Sequence, residues 1–267
     1  MQIGNFDPSS AFFFIAGPCV VEGRDMMLAT ARRLAAVAAK YSVPLVLKGS
    51  FKKANRTGAG SFMTIGEEAA LEILASAGSE CGLPTLTDIH STEDAMLAAG
   101  YADVLQIPAF LCRQTELIQA AVRTGRAVNI KKGQFAAPGD MVHAVEKGRA
   151  VGGDTIMLCE RGTTFGYHDL VVDMRGLVIM RSANVPVIYD ATHSVQVPSA
   201  GGVSGGRPEF ILPLARAAVA VGVNGVFFET HPDPPSARSD AASQLPLAQA
   251  EEFIRQCLHS HRFHETL

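Results

Sequence analysis

The sequence predicts an α/β fold, a single-domain (β/α)8 TIM barrel occupying residues 1–267. Three observations carry that expectation. Short apolar runs alternate eight times with segments of helical periodicity. The runs are apolar on both faces, as strands are when helical crossovers cover a parallel sheet on both sides. Polar residues also follow each run at the same end, where a barrel of this kind places its chemistry. The alternative architecture is an open doubly wound sheet. No Gly-x-Gly-x-x-Gly fingerprint follows the first run to support it.

The expected strands are residues 12–16, 45–49, 85–87, 104–107, 127–130, 155–158, 187–189 and 225–228. The first stops at Gly17-Pro18, which breaks regular structure, and delivers Cys19. Apolar residues at three- and four-residue spacing predict a helix over 26–40 before the second strand. That strand carries Lys48 and runs into Lys53, Asn55 and Arg56. A helix over 67–80 precedes the third strand, which ends at Asp88 and His90, and a helix over 92–99 precedes the fourth, which carries Gln106. After a helix over 114–123, the fifth strand gives Lys131 and Lys132, and the sixth gives Glu160 and Arg161. The seventh gives Asp190 and His193; a helix over 208–221 then leads to the eighth, with Glu229 at its end. A last helix is expected over 247–259. No linker, repeat or low-complexity stretch divides the chain.

At 267 residues and 48% apolar composition the chain can bury a large core. A formal charge of -3 gives no general surface for nucleic acid or anionic lipid. No apolar run approaches the roughly 20 residues of a membrane helix, and the first residues lack the basic start of a signal peptide. Five scattered cysteines without a Cys-x-x-Cys pair argue against a disulfide framework and for a reducing compartment. A soluble cytoplasmic protein is expected.

Cys19, His193, Glu229 and Asp240 offer a thiolate, an imidazole and two carboxylates, a donor set suited to zinc, iron(II) or manganese. A lone cysteine after a strand is most often a small core residue, so this reading depends on its partners. His231 is a candidate supporting group, and the other histidines read as surface or core positions. Lys48, inside an apolar strand, needs an anion or a route to solvent. Lys52, Lys53 and Arg56 read either as solvated charges or, with Asn55, as a phosphate pocket. Arg161-Gly162-Thr163-Thr164 makes a compact oxyanion-binding loop. The Gly-rich segments 57–60 and 198–206 read as lids or as plain connections.

Longer runs carry a resemblance. They include Ala16-Gly17-Pro18-Cys19, Lys53-Ala54-Asn55-Arg56, Thr87-Asp88-Ile89-His90 and Gln106-Ile107-Pro108-Ala109-Phe110 with Arg113 beyond. Asn129-Ile130-Lys131-Lys132-Gly133-Gln134-Phe135, Glu160-Arg161-Gly162-Thr163-Thr164-Phe165-Gly166-Tyr167, Asp190-Ala191-Thr192-His193-Ser194-Val195-Gln196 and Phe228-Glu229-Thr230-His231-Pro232 continue it. Over nearly its whole length the chain resembles the 3-deoxy-D-manno-octulosonate 8-phosphate synthase family.

That resemblance implies condensation of phosphoenolpyruvate with D-arabinose 5-phosphate and water, releasing phosphate, in lipopolysaccharide biosynthesis. It implies a homotetramer. Cysteine at position 19, where metal-independent members have Asn, implies the metal-dependent type, with His193, Glu229 and Asp240 as the other ligands. It further implies that Lys48, Lys131 and Arg161 hold phosphoenolpyruvate, and that Lys53 stands near it as a proton donor. Asn55, Arg56 and Thr57 would grip the sugar phosphate, and Arg113 would reach a neighbouring subunit's phosphate pocket. Asp88, His90, Gln106 and Phe110 would line the cleft between the substrates.

The family commonly reads Ser-Ser-Ile-His-Ser-Phe-Arg-Gly after Arg56. Here the stretch is Thr57-Gly58-Ala59-Gly60-Ser61-Phe62-Met63-Thr64, so a methionine replaces an arginine beside the sugar-phosphate loop. Two other readings remain. One is the sister synthase that uses erythrose 4-phosphate, which typically has Lys-Pro-Arg where this chain has Lys53-Ala54-Asn55-Arg56. The other is a non-catalytic sugar-phosphate-binding barrel.

Overall fold

The computed structural model describes residues 2–54, 60–197 and 205–265. Asn55, Arg56 and Thr57, and most of the second Gly-rich segment, lie outside the described residues. Eight parallel strands form the barrel: β1 Phe13–Gly17, β2 Leu45–Lys48, β3 Thr85–Asp88, β4 Val104–Ile107, β5 Ala127–Lys131, β6 Ile156–Glu160, β7 Val187–Asp190 and β8 Gly225–His231. Each pairs with its sequence neighbour, and β1 pairs with β8 to close the ring, aligning Gly17 with Glu229. The helices are α1 Arg24–Tyr41, α2 Glu67–Cys81, α3 Thr92–Ala98, α4 Thr115–Arg123, α5 Met141–Arg149, α6 Met174–Arg181, α7 Ile211–Val221 and α8 Ala250–Glu265.

Strand alternation explains both the core and the site. Side chains two residues apart share a face, so Phe14 and Ala16 pack outward under the helices while Phe13 and Ile15 fill the barrel. The lower interior is apolar: Val46, Leu86, Val104, Ala127, Met157, Ile188 and Phe227, sealed from below by Ile3 and Phe6. Two residues further along the same faces come Lys48, Asp88, Gln106, Asn129, Asp190 and Glu229, all buried. The polar layer is thus the next register of the same strands. At Gly17 a side chain is impossible, because a Cβ would stand 1.9 Å from the Lys48 carbonyl oxygen.

Two elements start later than the sequence pattern predicts. Pro208–Phe210 and Leu247–Gln249 are single 3-10 turns, and α7 and α8 begin after them. β8 runs three residues beyond its expected end, because Thr230 and His231 pair with the returning segment Leu245–Pro246. A small hairpin, Thr163–Thr164 with Leu170–Val171, stands above β6.

Candidate active site

The four predicted metal-ligating residues converge at the carboxyl end of the barrel. The Cys19 Sγ lies 3.1 Å from Asp240 Oδ2, and the ligand atoms of Cys19, Glu229 and Asp240 all lie within 4.8 Å of one another. His193 Nε2 faces them, 3.6 Å from Glu229 Oε1 and 3.9 Å from Asp240 Oδ2. Asp240 takes a left-handed backbone conformation, φ 48°, which aspartate tolerates better than most residues. Its segment is tied to Cys19: the Cys19 Sγ donates to the Ser239 hydroxyl, and the Cys19 N–H to Gln244 Oε1.

Asp190 orients the imidazole. Its carboxylate accepts from the His193 N–H at 2.9 Å and stands 2.8 Å from Nδ1. With Nδ1 turned to Asp190, Nε2 is the nitrogen that faces the cluster. Lys131 Nζ donates to the same carboxylate at 2.5 Å and sits 3.9 Å above the Phe227 ring. Burial alone would raise the Asp190 pKa, but His193 and Lys131 hold it far below the usual carboxylate range. Burial likewise opposes charge on Lys131, and Asp190 outweighs it, so the ammonium persists.

Lys48 lies at the bottom of the polar layer, fully buried. Its Nζ donates to Glu229 Oε1 at 2.5 Å and to the carbonyls of Cys19 at 2.7 Å and Pro18 at 3.2 Å. Those acceptors take all three of its N–H groups, so a substrate must displace one of them to be bound by Lys48. Burial pushes Glu229 up, yet Lys48, His193, Lys53 and Lys131 bring its pKa down to about 2. For Lys53, burial opposes the charge, but Cys19, Glu229, Asp88 and Asp240 nearby hold its pKa above the usual lysine value. Cys19 goes the other way: burial, with Asp240 and Glu229 adding to it, pushes the thiol well above its ordinary value.

Across the barrel runs a chain of polar side chains. Asn129 Nδ2 donates to Gln106 Oε1 at 2.8 Å, Gln106 Nε2 donates to Asp88 Oδ1 at 2.7 Å, and the Ser50 hydroxyl donates to Asp88 Oδ2. Arg161 completes the cationic rim. Its Nη2 donates to the His193 carbonyl at 2.7 Å and to Gln196 Oε1 at 3.1 Å, while its Nε is buried without a partner among the described residues.

Other predicted residues stand apart. The His90 ring turns to Asp94 at the start of α3, Nδ1 to Oδ2 3.6 Å. Lys52 pairs with Glu67 and Asp94, so it is a structural charge outside the cluster. Phe110 is 57% exposed on a turn after β4, and Arg113 is exposed, its carbonyl accepting from Lys147. His231 is buried at the end of β8, its Nε2 3.6 Å from Glu22 Oε1 and its Nδ1 accepting the Asp233 N–H, with no polar contact to the cluster among the described residues. Sequence reasoning missed Ser50, Asn129, Ser239 and Gln244. Ser50 and Asn129 were within reach, since each lies two residues from a lysine at a strand end. Ser239 and Gln244 sit on an irregular segment with no periodicity to mark them.

The chain matches the family model described as the DAHP synthetase I family over residues 4–263. The chain belongs to the DAHP synthetase I family. The family match spans all eight strands, so every residue of the site lies within it. Curated relatives of this family member are named 2-dehydro-3-deoxyphosphooctonate aldolase. That of Nitrosococcus oceani is 54% identical over 245 residues, covering 91% of this chain and 88% of the relative. That of Aromatoleum aromaticum is 52% identical over 246 residues, again 91% and 88%. That of Laribacter hongkongensis is 50% identical over 263 residues, 95% and 93%.

Proposed function

We propose that the chain condenses phosphoenolpyruvate with D-arabinose 5-phosphate and water, giving 3-deoxy-D-manno-octulosonate 8-phosphate and phosphate for lipopolysaccharide biosynthesis. One observation carries the reading: relatives at 50–54% identity over nine-tenths of the chain share one enzyme name. Polar residues at every strand end add chemical support against a retired, non-catalytic barrel.

Carbon 3 of the enol phosphate must attack an aldehyde while water adds at carbon 2. Lys131 and Arg161 fix the phosphate and carboxylate of phosphoenolpyruvate, which places carbon 3 in a near-attack position. Positive charge develops at carbon 2, above a floor where Asp88 and Glu229 are kept ionised by neighbouring cations. The departing phosphate leaves against fixed positive groups. Lys53, held protonated, gives its proton to the aldehyde oxygen as it becomes an alkoxide and regains one from the water that adds at carbon 2, after which the bond from carbon 2 to the phosphate oxygen breaks. Asp88 and Gln106 line the cleft, whereas His90 turns to Asp94 and Phe110 is exposed on the turn after β4. Asn55, Arg56 and Thr57 take the sugar phosphate.

A divalent ion, iron, zinc or manganese, belongs in this reading, with Cys19, His193, Glu229 and Asp240 as its ligands. The donor set fits: Glu229 Oε2 is buried without a partner among the described residues, and Asp190 orients the imidazole with Nε2 toward the cluster. When bound, the ion supplies Lewis acidity that orients the aldehyde.

The working protein is a homotetramer in the cytoplasm. Phe110, Phe135, Phe165 and Tyr167, exposed on successive loops above β4 to β6, support an assembly in which Arg113 meets a neighbour. All five cysteines are free thiols, in keeping with a reducing compartment. No helix among the described residues is long and apolar enough to cross a membrane.

The test is phosphate release from phosphoenolpyruvate with arabinose 5-phosphate or erythrose 4-phosphate, before and after chelation. Release with the arabinose compound, lost on chelation and restored by a divalent ion, is expected. The family model's description makes the heptulosonate reaction the competing reading; faster turnover with erythrose 4-phosphate would establish it instead.

A further inference from the structure

Lys132 is fully buried, yet it points away from the reacting centre. Strand alternation sends Lys131 into the barrel and its neighbour Lys132 out beneath two loops. There the ammonium donates to the Gly133 carbonyl at 3.1 Å and the Ala136 carbonyl at 3.3 Å, both in the loop after β5. It also reaches the Gly162 carbonyl at 3.3 Å and the Thr163 hydroxyl at 3.0 Å, in the loop after β6. Glu160 Oε1 lies 3.5 Å away and accepts the Gly162 N–H at 2.6 Å. A further bond joins the same loops, from the Thr164 N–H to the Gln134 carbonyl.

Arg161 sits between these anchors. Glu160 before it and Gly162 after it both belong to the Lys132 network, and Gly162 takes a φ of +95° that fixes the turn. The guanidinium has few other constraints: Nη2 is held by the His193 carbonyl and Gln196, and Nε is buried without a partner among the described residues. A compact ammonium can gather several oxygens arriving from different directions, which a planar guanidinium cannot do. Burying a lysine and a glutamate gains nothing for packing alone, since an apolar pair of similar volume is commonly as stable or more so.

We propose that Lys132, with Glu160, is a positioning residue that sets the Arg161 guanidinium for the phosphate of phosphoenolpyruvate by locking the loops after β5 and β6 together. The inference rests on the assignment of Arg161 to that substrate. It predicts a selective effect, on phosphoenolpyruvate and not on the sugar phosphate, because no described residue of the loop after β2 takes part in the bonds named here.

The experiment compares the wild-type chain with the double variant Lys132→Met/Glu160→Gln, which removes both buried charges together and leaves neither unpaired. Calorimetric titration gives the dissociation constants for phosphoenolpyruvate and for arabinose 5-phosphate, and circular dichroism reports folding. Expected is at least about a tenfold weaker affinity for phosphoenolpyruvate, since displacements near 1 Å are costly at such sites. The sugar-phosphate affinity stays unchanged. Equal phosphoenolpyruvate affinity in the folded double variant would overturn the proposal, and so would a parallel loss of both affinities, which marks general destabilisation. Should the double variant fail to fold, Thr163→Val removes a single partner of the ammonium. It is expected to weaken phosphoenolpyruvate alone, and an unchanged constant refutes the inference. Failure of the wild-type chain to bind phosphoenolpyruvate would overturn the assignment of the site, and this inference with it.

Discussion

Replacing Asp190 by Asn removes one negative charge from the point where three features of the site meet. The carboxylate is fully buried and takes Lys131 Nζ at 2.5 Å, His193 Nδ1 at 2.8 Å, and the N–H groups of Thr192 and His193. All of these are donors. An amide in its place turns an NH2 group toward at least one of them and leaves the Lys131 ammonium, itself only 5% exposed, without its counter-charge. Breaking a buried pair from one side costs about 3–5 kcal/mol. In a domain of this size each kcal/mol lowers the melting temperature by roughly 2–4 °C, so a fall of about 6–20 °C is expected. The imidazole loses its orienting carboxylate as well, and metal affinity should drop about 10- to 100-fold. Thermal melts by circular dichroism and a competitive titration against a chromophoric chelator measure the two effects. An Asn variant that melts within about 2 °C of the wild type and binds divalent metal equally well would refute the reasoning.

Three other outcomes are expected. Because burial and the adjacent carboxylates keep the Cys19 thiol protonated at neutral pH, loading a divalent ion should release about one proton from it, read with a pH indicator in weak buffer; loading Cys19→Ser should release about one fewer, and equal release from both chains contradicts thiolate ligation. Glu229 has a folded pKa of about 2, below its ordinary 4.5, so the stability it contributes is complete above about pH 4.5 and disappears as pH falls toward 2. Urea midpoints at pH 3 and pH 6 should therefore differ less in Glu229→Gln than in the wild type, and an identical difference would count against the Lys48 pairing. Gly17→Ala forces a Cβ to within 1.9 Å of the Lys48 carbonyl oxygen and should yield no folded soluble protein, or one with a much lower melting temperature; a variant as stable as the wild type would mean the β1–β2 approach is looser than described.

The strands and six of the helices were legible because each is decided locally; the short α5 and α6, Met141–Arg149 and Met174–Arg181, were not marked in advance. Runs such as Phe13–Gly17 and Val104–Ile107 are apolar on both faces, and that pattern has few solutions outside a covered parallel sheet. Element ends were less legible where a distant segment extends them, as Leu245–Pro246 extends β8 past Phe228. Candidate residues on strand ends were readable for the same local reason: Lys48, Asp88, Gln106 and Glu229 follow apolar positions at a spacing of two. Lys132 carries the same residue type as Lys131 one position on. Chemistry alone could not separate them, and only the face of the strand on which each falls does so.

By itself, then, the sequence determined the alternation of strands and helices, the closed parallel barrel that alternation implies, and the identity of the charged groups at its mouth. The resemblance of its motifs determined the expected reaction. Tertiary structure decided the partnerships. It set Lys48 on Glu229 and the Cys19 carbonyl, Lys131 on Asp190, Lys52 on Asp94, and Lys132 beneath the Arg161 loop. It brought Asp240 to Cys19 from 221 residues away. The physical reason is that propensity and periodicity act over a few neighbouring residues, whereas the ionisation and role of a buried charge depend on which distant group the closed barrel places a few ångströms from it.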